Sequence, residues 1–197
     1  MKDYSQHGES LFLWNYIKDN KLEVPKLFVD VGALDGLRNS NSKLFIEAGW
    51  EGVLIEPNPF VFIDIFKNNQ GLKFHACNLA ISDSTDFKPF YIRNKNIRGD
   101  SKLSKKGNYM VVTTTLDKII NKPIGILDID TEGHDTIIIQ DVLSKNIYPH
   151  FIIIESNTEE MFREQVLILD KKYNLIKRMN VNSIWEKKLC LTKNQKK

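Results

Sequence analysis

The sequence predicts an α/β fold in which helices cover both faces of a mostly parallel β-sheet. Short apolar runs alternate with longer stretches of mixed polarity along the 197 residues, which is typical of βαβ units. Near-uniform apolarity is expected of strands buried on both faces. Each of the four strongest runs ends in or beside a carboxylate; the runs are residues 27–31, 52–56, 125–130 and 151–155. Because the carboxyl ends of parallel strands line the ligand crevice, the sequence predicts an acidic site.

The stretches between the apolar runs predict six helices. They cover residues 10–17, 41–48, 60–68, 115–120, 135–143 and 157–171. Gly49 follows the second of them as a stop signal. Asn157 and Glu160 have the spacing of an N-cap and its reciprocal N3 carboxylate, which predicts that the last helix begins at Asn157.

The end of the chain and one internal stretch complete the element prediction. Residues 173–179 and 183–191 flank a turn of the type MNVNS, which predicts a closing antiparallel pair. Residues 93–108 show no apolar period and predict a long loop. A loop of this length in a compact domain is disordered or functional, and a lid over the crevice is the functional version.

Length and composition predict one domain over residues 1–191, with an N-terminal helical lead-in at residues 1–24 and a basic tail at residues 192–197.

The net charge of +3 does not indicate a nucleic-acid partner. Two cysteines without metal-ligand spacing favour a reducing compartment. No signal-peptide pattern and no run of about eighteen apolar residues is present. We therefore expect a cytoplasmic protein without a membrane span; the oligomeric state stays open.

A glycine turn follows the first predicted strand in the segment FVDVGALDG. Gly32 and Gly36 stand where the strand turns into its helix, and glycine there permits close approach of backbone to a ligand. A dinucleotide fingerprint needs three glycines in the GxGxxG spacing, and this stretch has two, with Asp35 between them. Asp30 and Asp35 would repel a pyrophosphate, whereas they suit a ligand with an ammonium group, such as a methionine moiety. This pattern disfavours a nicotinamide oxidoreductase.

Glu56 ends the second predicted strand, where an acidic side chain can accept hydrogen bonds from both ribose hydroxyls of a nucleoside. Its separation from Gly32 is slightly more than the roughly twenty residues expected for that role. Any one of these carboxylates could be a turn or cap residue. Together they predict a site for a nucleoside that carries an amino acid.

The chain resembles the FkbM family of S-adenosylmethionine-dependent methyltransferases. The resemblance rests on motifs that occur in the family's order along some four-fifths of the chain. They are YSQHGE at 4–9, FVDVGALDG at 28–36, SNS at 40–42, GWEGVLIEPNP at 49–59, NLAIS at 78–82, TTLDKI at 114–119, LDIDTEGHD at 127–135 and IIIESN at 152–157. The most specific are SQHGE, EPNP and DTEG. Two positions depart from common patterns: Ala33 is glycine in many other methyltransferases, and His134 replaces a smaller residue.

The resemblance implies a Rossmann-like class I methyltransferase with a seven-stranded, mostly parallel sheet whose last strand is antiparallel. S-adenosylmethionine is the implied cofactor, over the ends of the first two strands. The resemblance implies that Glu56 holds the ribose and that residues 78–81 flank the adenine. The residues implied to surround the methionine end are Asp30, Gly32, Asp35 and Gly36. The implied cofactor-binding residues are Gln6, Asp30, Gly32, Ala33, Asp35, Gly36, Ser40, Glu56, Pro57, Asn78, Leu79 and Ala80.

Methyl transfer to an alcohol needs a positioned acceptor and either a general base or a metal that lowers the pKa of the hydroxyl. Asp130, Glu132 and His134 follow the fourth strand and are the candidate catalytic residues. Carboxylates beside His134 would raise its basicity; the alternative is a solvated loop histidine. Asp130, Glu155 and Asn157 could instead bind a magnesium ion, although Asn157 could simply cap its helix.

The acceptor is predicted more coarsely. The family and the lysine-rich residues 93–108 favour a hydroxyl on a sugar of a glycan or glycoconjugate. A polyketide-like small molecule and a non-catalytic cofactor-binding or interaction module are the alternatives. A nucleic-acid methyltransferase is disfavoured because DTEG stands where an amino-methylating enzyme would have Asn or Asp, two prolines and an aromatic residue. Neither cysteine follows a proline, as a cytosine C5 nucleophile would.

Overall fold

The computed structural model describes residues 1–93 and 101–188. Five helices and a single 3₁₀ turn at Leu116–Lys118 accompany eleven strands in this part of the chain. The helices are α1 (Glu9–Asp19), α2 (Lys43–Glu47), α3 (Pro59–Asn68), α4 (Asp135–Ser144) and α5 (Glu159–Leu169). The strands are β1 (Leu27–Val31), β2 (Glu51–Ile55), β3 (Phe74–Cys77), β4 (Ala80–Ile81), β5 (Asp86–Tyr91), β6 (Lys102–Leu103), β7 (Tyr109–Thr114), β8 (Ile126–Ile129), β9 (Phe151–Glu155), β10 (Tyr173–Met179) and β11 (Asn182–Lys187).

The main sheet has seven strands in the order β10-β11-β9-β8-β1-β2-β3. Neighbours from β9 to β3 pair in parallel, and β11 pairs antiparallel with both β9 and β10. The prediction of a mostly parallel, seven-stranded sheet with an antiparallel last strand is confirmed. Order reverses between β1 and β8, because β2 lies on one side of β1 and β8 on the other. Such a switch point opens the crevice in which α/β proteins bind ligands.

Two hydrophobic clusters cover the two faces of this sheet. Alternate residues of β1 belong to different clusters: Val29 packs with α4 and α5, and Phe28 packs with α1 and α2. All five β1 residues and all five β9 residues are buried. Burial on both faces explains why these strands read as continuous apolar runs. Within the described residues, no helix combines the length and apolar character that crossing a membrane requires.

A second sheet, of four strands in the order β4-β7-β5-β6, was not predicted. In β5 and β7, side chains on one face are buried and those on the other are exposed: Phe90 and Val111 are buried, and Phe87 and Met110 are exposed. Residues 101–108, predicted as loop, include the two-residue strand β6, which pairs with β5. A strand this short carries no periodicity, so only its pairing identifies it. Residues 94–100 of the predicted loop lie outside the described residues.

Three other predicted boundaries differ from the structure. The cap of α5 is Thr158, whose side chain accepts from the N–H of Met161, so the predicted cap at Asn157 is wrong. Asn157 instead donates to Glu155 Oε2 at 2.7 Å. The predicted helix at residues 115–120 is only the 3₁₀ turn. Strand β11 ends at Lys187, and positions 189–197, with the predicted basic tail, lie outside the described residues.

Candidate functional site

A cavity of about 310 Å³ opens at the carboxyl ends of β1, β2, β8 and β9. Six carboxylates line it, and Arg38 is the single lysine or arginine among the described lining residues. The lining carboxylates are Asp30, Glu56, Asp128, Asp130, Glu132 and Glu155. The acidic site predicted from the strand ends is therefore present in the structure. Its volume falls at the lower end of the range for small-molecule sites.

Asp30 and Asp128 occupy opposite positions on the paired strands β1 and β8. Both side chains are buried, and Ser42 Oγ donates to Asp30 Oδ2 at 2.5 Å. Burial raises the pKa of Asp30 to about 6, although the Ser42 hydrogen bond acts in the opposite direction. Burial and then the charge of Asp30 raise the pKa of Asp128 well above its ordinary value. The two carboxylates would be stabilised by a ligand that brings a positive charge.

Glu56 directly follows β2 and is also buried. Its two carboxylate oxygens accept from the backbone N–H of Leu34 at 3.0 Å and of Asn58 at 2.6 Å. The pKa of Glu56 is raised to about 8, mainly by burial. The two hydrogen bonds act to lower this pKa, and the charges of Asp30 and Asp35 act to raise it. The backbone donors fix the orientation of the carboxyl group, which retains lone pairs for a ligand hydroxyl.

The glycine turn serves packing more than ligand approach. Gly32 has a φ of +96°, and an added Cβ would lie 1.8 Å from the backbone oxygen of Asp130. Gly32 itself lines the cavity, but Gly36 does not: its added Cβ would meet Asn69 Nδ2 at 2.6 Å. Leu34, between them, also has a positive φ, of +51°. A leucine in this region costs conformational energy, and such strain is concentrated at functional sites.

Asp35 turns away from the cavity and is not among its lining residues. Its Oδ1 accepts from the N–H groups of Leu37 and Arg38, and its Oδ2 accepts from Arg38 Nε at 2.8 Å. Burial opposes ionisation of Asp35, but these bonds together hold its pKa below the ordinary value. Asp35 therefore orders the turn and orients Arg38, which does line the cavity.

Asp130, Glu132 and Glu155 form the wall beyond β8 and β9. Burial, and after it the charge of Glu155, raise the pKa of Asp130 well above its ordinary value. Burial and the charges of Asp135 and Glu132 raise the pKa of Glu155 to about 7. The charge of Glu155 raises the pKa of Asp130, whereas the hydrogen bond with Asp130 lowers the pKa of Glu155. Among the described lining residues, no lysine or arginine lies in this wall to hold an anionic ligand.

His134 precedes α4 and lines the cavity. Its Nε2 lies 3.0 Å from Ser82 Oγ. The prediction that carboxylates raise its basicity is wrong: burial, and then the charge of Lys88, lower the pKa of His134, and Asp83 opposes them only partly. The sequence could not show this, because Ser82 and Lys88 are brought to His134 by the second sheet.

The metal prediction has no support in the geometry. Among the described residues, no group of three histidine, cysteine, aspartate or glutamate side chains is arranged to hold an ion. Asn157 does not line the cavity, and its amide donates to Glu155. These residues do not fit a magnesium site, and we derive no step through a metal.

The sequence pattern of the methyltransferase FkbM domain matches residues 30–180, which is more than half of the chain. The chain belongs to the methyltransferase FkbM domain family. The resemblance to this family is confirmed, and the EPNP and DTEG motifs lie within the matched residues, whereas SQHGE precedes them. No curated protein matches the chain in sequence.

Solved structures share the fold of this FkbM domain. Methyltransferase FkbM from Methylobacillus flagellatus KT is similar with a TM-score of 0.57 and 12% identity, over 93% of this chain and 48% of that one. A putative RNA methyltransferase from Pyrococcus horikoshii is similar with a TM-score of 0.51 and 12% identity, over 92% of this chain and 84% of that chain. At such identities the likeness shows the fold alone. The chain spans about half the length of the Methylobacillus protein.

Most of the implied cofactor residues of the FkbM domain meet at the cavity, and three do not. Asp35 and Gly36 stabilise the turn, and Asn78 donates to the backbone oxygens of Glu56 and Pro57 at 2.8 and 3.2 Å. Those that line the cavity are Gln6, Asp30, Gly32, Ala33, Ser40, Glu56, Pro57, Leu79 and Ala80. The three catalytic candidates line it as well. Their roles stay predictions.

Sequence reasoning missed several residues that line the cavity of the FkbM domain, some with a usable sequence signal and some without one. Asp128 lies two residues before Asp130, and strand alternation could have placed both on one side. Arg38 is the one basic residue between positions 28 and 42, which was a usable signal. Phe90, Ser101 and Leu103 belong to or adjoin the second sheet, and no sequence signal linked them to the site.

The buried carboxylates of the cavity predict an unusual pH dependence of stability. Asp30 and Glu56 have folded-state pKa values raised to about 6 and about 8, so folding favours their protonated forms. Their contribution is complete below the unfolded pKa, near 4, and is lost as pH rises through 6 to 8. We expect the unfolding temperature of the ligand-free protein to fall between pH 5.5 and 8.5, and Glu56→Gln to flatten the upper part. Thermal unfolding across that window measures it; a flat or rising profile would contradict the assignment.

Proposed function

We propose that this FkbM domain transfers a methyl group from S-adenosylmethionine to a hydroxyl oxygen, on a sugar of a glycan or glycoconjugate. One observation carries the cofactor part. Asp30 and Glu56 are buried at the switch point of the sheet, and no lysine or arginine pairs with either among the described residues. A ligand that supplies an ammonium group and a ribose diol would satisfy both.

The residues of the cavity fit the parts of this cofactor. Asp30 and Asp128 would hold the ammonium group, and Arg38 would hold the carboxylate of the methionine moiety. Glu56 would accept from the ribose hydroxyls. Leu79 and Ala80 supply an apolar wall for the adenine ring. When bound, S-adenosylmethionine supplies an electrophilic methyl group on a positively charged sulfur.

The remaining work of the site is to align the acceptor oxygen, exclude water and take the hydroxyl proton. Asp130, Glu132 and His134 line the part of the cavity beyond β8 that the cofactor residues leave for an acceptor. The pKa of His134 is lowered from the ordinary value for histidine, so physiological pH lies above it. His134 is therefore neutral and able to accept a proton. We assign the proton-accepting role to His134.

The charge of the cavity supports a neutral acceptor. Among the described lining residues, the wall of Asp130, Glu132 and Glu155 has no lysine or arginine to pair with a phosphate, so a nucleic acid or a phosphorylated sugar is disfavoured. Asn58, Ser101 and Thr131 add polar groups that can hydrogen-bond to sugar hydroxyls. The fold shared with a putative RNA methyltransferase carries no argument about the acceptor.

Two measurements test this proposal in sequence. Calorimetric titration with S-adenosylhomocysteine is expected to show one site, and absence of heat would leave only a non-catalytic domain. Incubation with methyl-labelled cofactor should then label neutral oligosaccharides, with little label on uronic-acid or phosphorylated oligosaccharides and none on RNA. Label confined to RNA or to protein would overturn the sugar assignment while it left the cofactor assignment standing.

A further inference from the structure

His134 is connected to the second sheet through one buried serine. Ser82 directly follows β4 and is fully buried. Its Oγ contacts three side chains: His134 Nε2 at 3.0 Å, Asp83 Oδ1 at 3.0 Å and Lys88 Nζ at 2.8 Å. Lys88, on β5, also contacts Asp83 Oδ1 at 3.1 Å. The four side chains form a connected group at the edge of the cavity.

The number of protons at Ser82 Oγ limits how these contacts can be made. A hydroxyl donates one hydrogen bond and accepts two, and the ammonium of Lys88 can only donate, so it uses one acceptor position. Asp83 can only accept, because the hydrogen bonds from Lys88 and Ser82 hold its pKa at about 2. The single hydroxyl proton therefore belongs to the Asp83 contact. His134 must then donate from Nε2 to the second acceptor position of Ser82.

A neutral imidazole that carries its proton on Nε2 has a bare lone pair on Nδ1. Among the described residues, no hydrogen bond to Nδ1 of His134 is present, whereas Nε2 has its partner in Ser82. His134 lines the cavity beside Thr131 and Glu132. Nδ1 is thus the ring nitrogen that is free to interact with an acceptor.

We propose that Ser82, Asp83 and Lys88 are positioning residues for the proposed methyl transfer: they hold His134 as the neutral Nε2–H tautomer and leave Nδ1 to take the acceptor proton. This inference rests on the function proposed above. In the step, the acceptor O–H bond breaks and its proton goes to Nδ1. The oxygen forms the new bond to the methyl carbon, and the electron pair of the breaking C–S bond stays on sulfur, which becomes a neutral thioether.

The charged groups around His134 act on it in opposite directions. Lys88 disfavours the imidazolium and Asp83 favours it. In its own loop, Glu132 lies two residues before His134, and Asp135 follows it, with its carboxylate occupied by the N–H groups of Thr131 and Gly133. Removing the charge of Lys88 or of Asp83 should therefore shift the titration of His134 in opposite directions.

Nitrogen-15 NMR of the full chain tests the tautomer without any acceptor. The chain contains four histidines, and His134→Gln identifies the resonances of His134 by their loss. We expect protonated Nε2 and unprotonated Nδ1 for neutral His134 in the unaltered protein, and a smaller fraction of the Nε2–H tautomer in Ser82→Ala. A neutral Nδ1–H tautomer in the unaltered protein would overturn the inference.

Charge variants add a second readout with matched controls. Lys88→Met should raise the midpoint of the His134 titration and Asp83→Asn should lower it. Lys122→Met and Asp117→Asn remove equivalent charges from ion pairs with Glu51 and Lys145, and should leave the midpoint unchanged. Equal shifts from the Lys88 and Lys122 variants would contradict the proposal.

Turnover separates this inference from the proposed function. With a neutral oligosaccharide acceptor, His134→Gln should lower kcat by at least about 100-fold, and Ser82→Ala by a smaller factor. The acid limb of the pH profile should move up in pH for Lys88→Met and down for Asp83→Asn. An unmoved limb overturns the inference alone, whereas failure to bind S-adenosylhomocysteine overturns the proposed function as well.

Discussion

Replacing Asp30 by Asn is expected to weaken binding of S-adenosylhomocysteine by about 100-fold, and replacing it by Ala to abolish binding. The carboxylate of Asp30 is buried at the end of β1 and would make a charge-assisted hydrogen bond to the ligand ammonium. Such a bond is worth about 1.5–3 kcal/mol, which corresponds to about 10–150-fold in affinity. Calorimetric titration at pH 8, where the group is ionised, measures the effect.

The same substitution should not destabilise the ligand-free protein at pH 8. Because burial raises the pKa of Asp30, its ionised form is unfavourable in the empty cavity, and a neutral amide removes that cost. Asp35→Asn is the matched comparison, since Asp35 is also buried but pairs with Arg38 and is held ionised. It should lower the unfolding temperature and lose less affinity than Asp30→Asn. Equal affinity losses from the two variants would contradict the different roles assigned here.

The main sheet could be predicted because burial on both faces leaves a simple pattern. Residues 27–31 and 151–155 were predicted as strands, and they coincide with β1 and β9. Their side chains must be apolar on both faces, so the strand period does not interrupt the run. The carboxylates that end the runs predicted a ligand site, because a carboxylate is rarely buried without a partner.

The second sheet could not be predicted, because its strands depend on pairing. In β5, Phe87 is exposed and Phe90 is buried, so apolar residues occupy both faces and the sequence lacks the apolar–polar alternation that would predict a strand. The strand β6 has two residues and exists through its pairing with Phe90 and Tyr91. This sheet supplies Lys88 near His134. Burial is the main cause of the depressed pKa of His134, and the charge of Lys88, which lowers that pKa further, could not be inferred from neighbours in the sequence.

Asp30 and Asp35 show the limit of sequence reasoning at the site itself. Both are aspartates beside the same glycine turn, and both suited a site for an ammonium group. The structure separates them by direction: Asp30 lines the cavity, and Asp35 accepts two backbone N–H groups of its own loop. A side chain that caps its own turn has the same composition signal as one that binds a ligand. Only the backbone path distinguishes the two.

Of the variants proposed here, Gly32→Ala should lose the most unfolding free energy. Comparison with Gly49→Ala separates the two causes of that loss, a positive φ and a steric clash. Both glycines have a positive φ, of +96° and +89°, which costs about 1–2 kcal/mol for alanine. At Gly49 the added Cβ meets nothing within 4 Å, whereas at Gly32 it lies 1.8 Å from the backbone oxygen of Asp130. That oxygen belongs to backbone and cannot yield cheaply, so overpacking adds about 1–3 kcal/mol or more.

Urea unfolding of the two variants measures this difference. We expect Gly32→Ala to lose about 2–5 kcal/mol of unfolding free energy and Gly49→Ala about 1–2 kcal/mol. Equal losses would mean that the ends of β1 and β8 can separate without cost and that Gly32 is required only for its φ. A larger loss at Gly32 would instead show that the first glycine of the FkbM turn is required where two strand ends meet. The cofactor site would then depend on that contact, because it holds Asp30 and Asp130 at the same cavity.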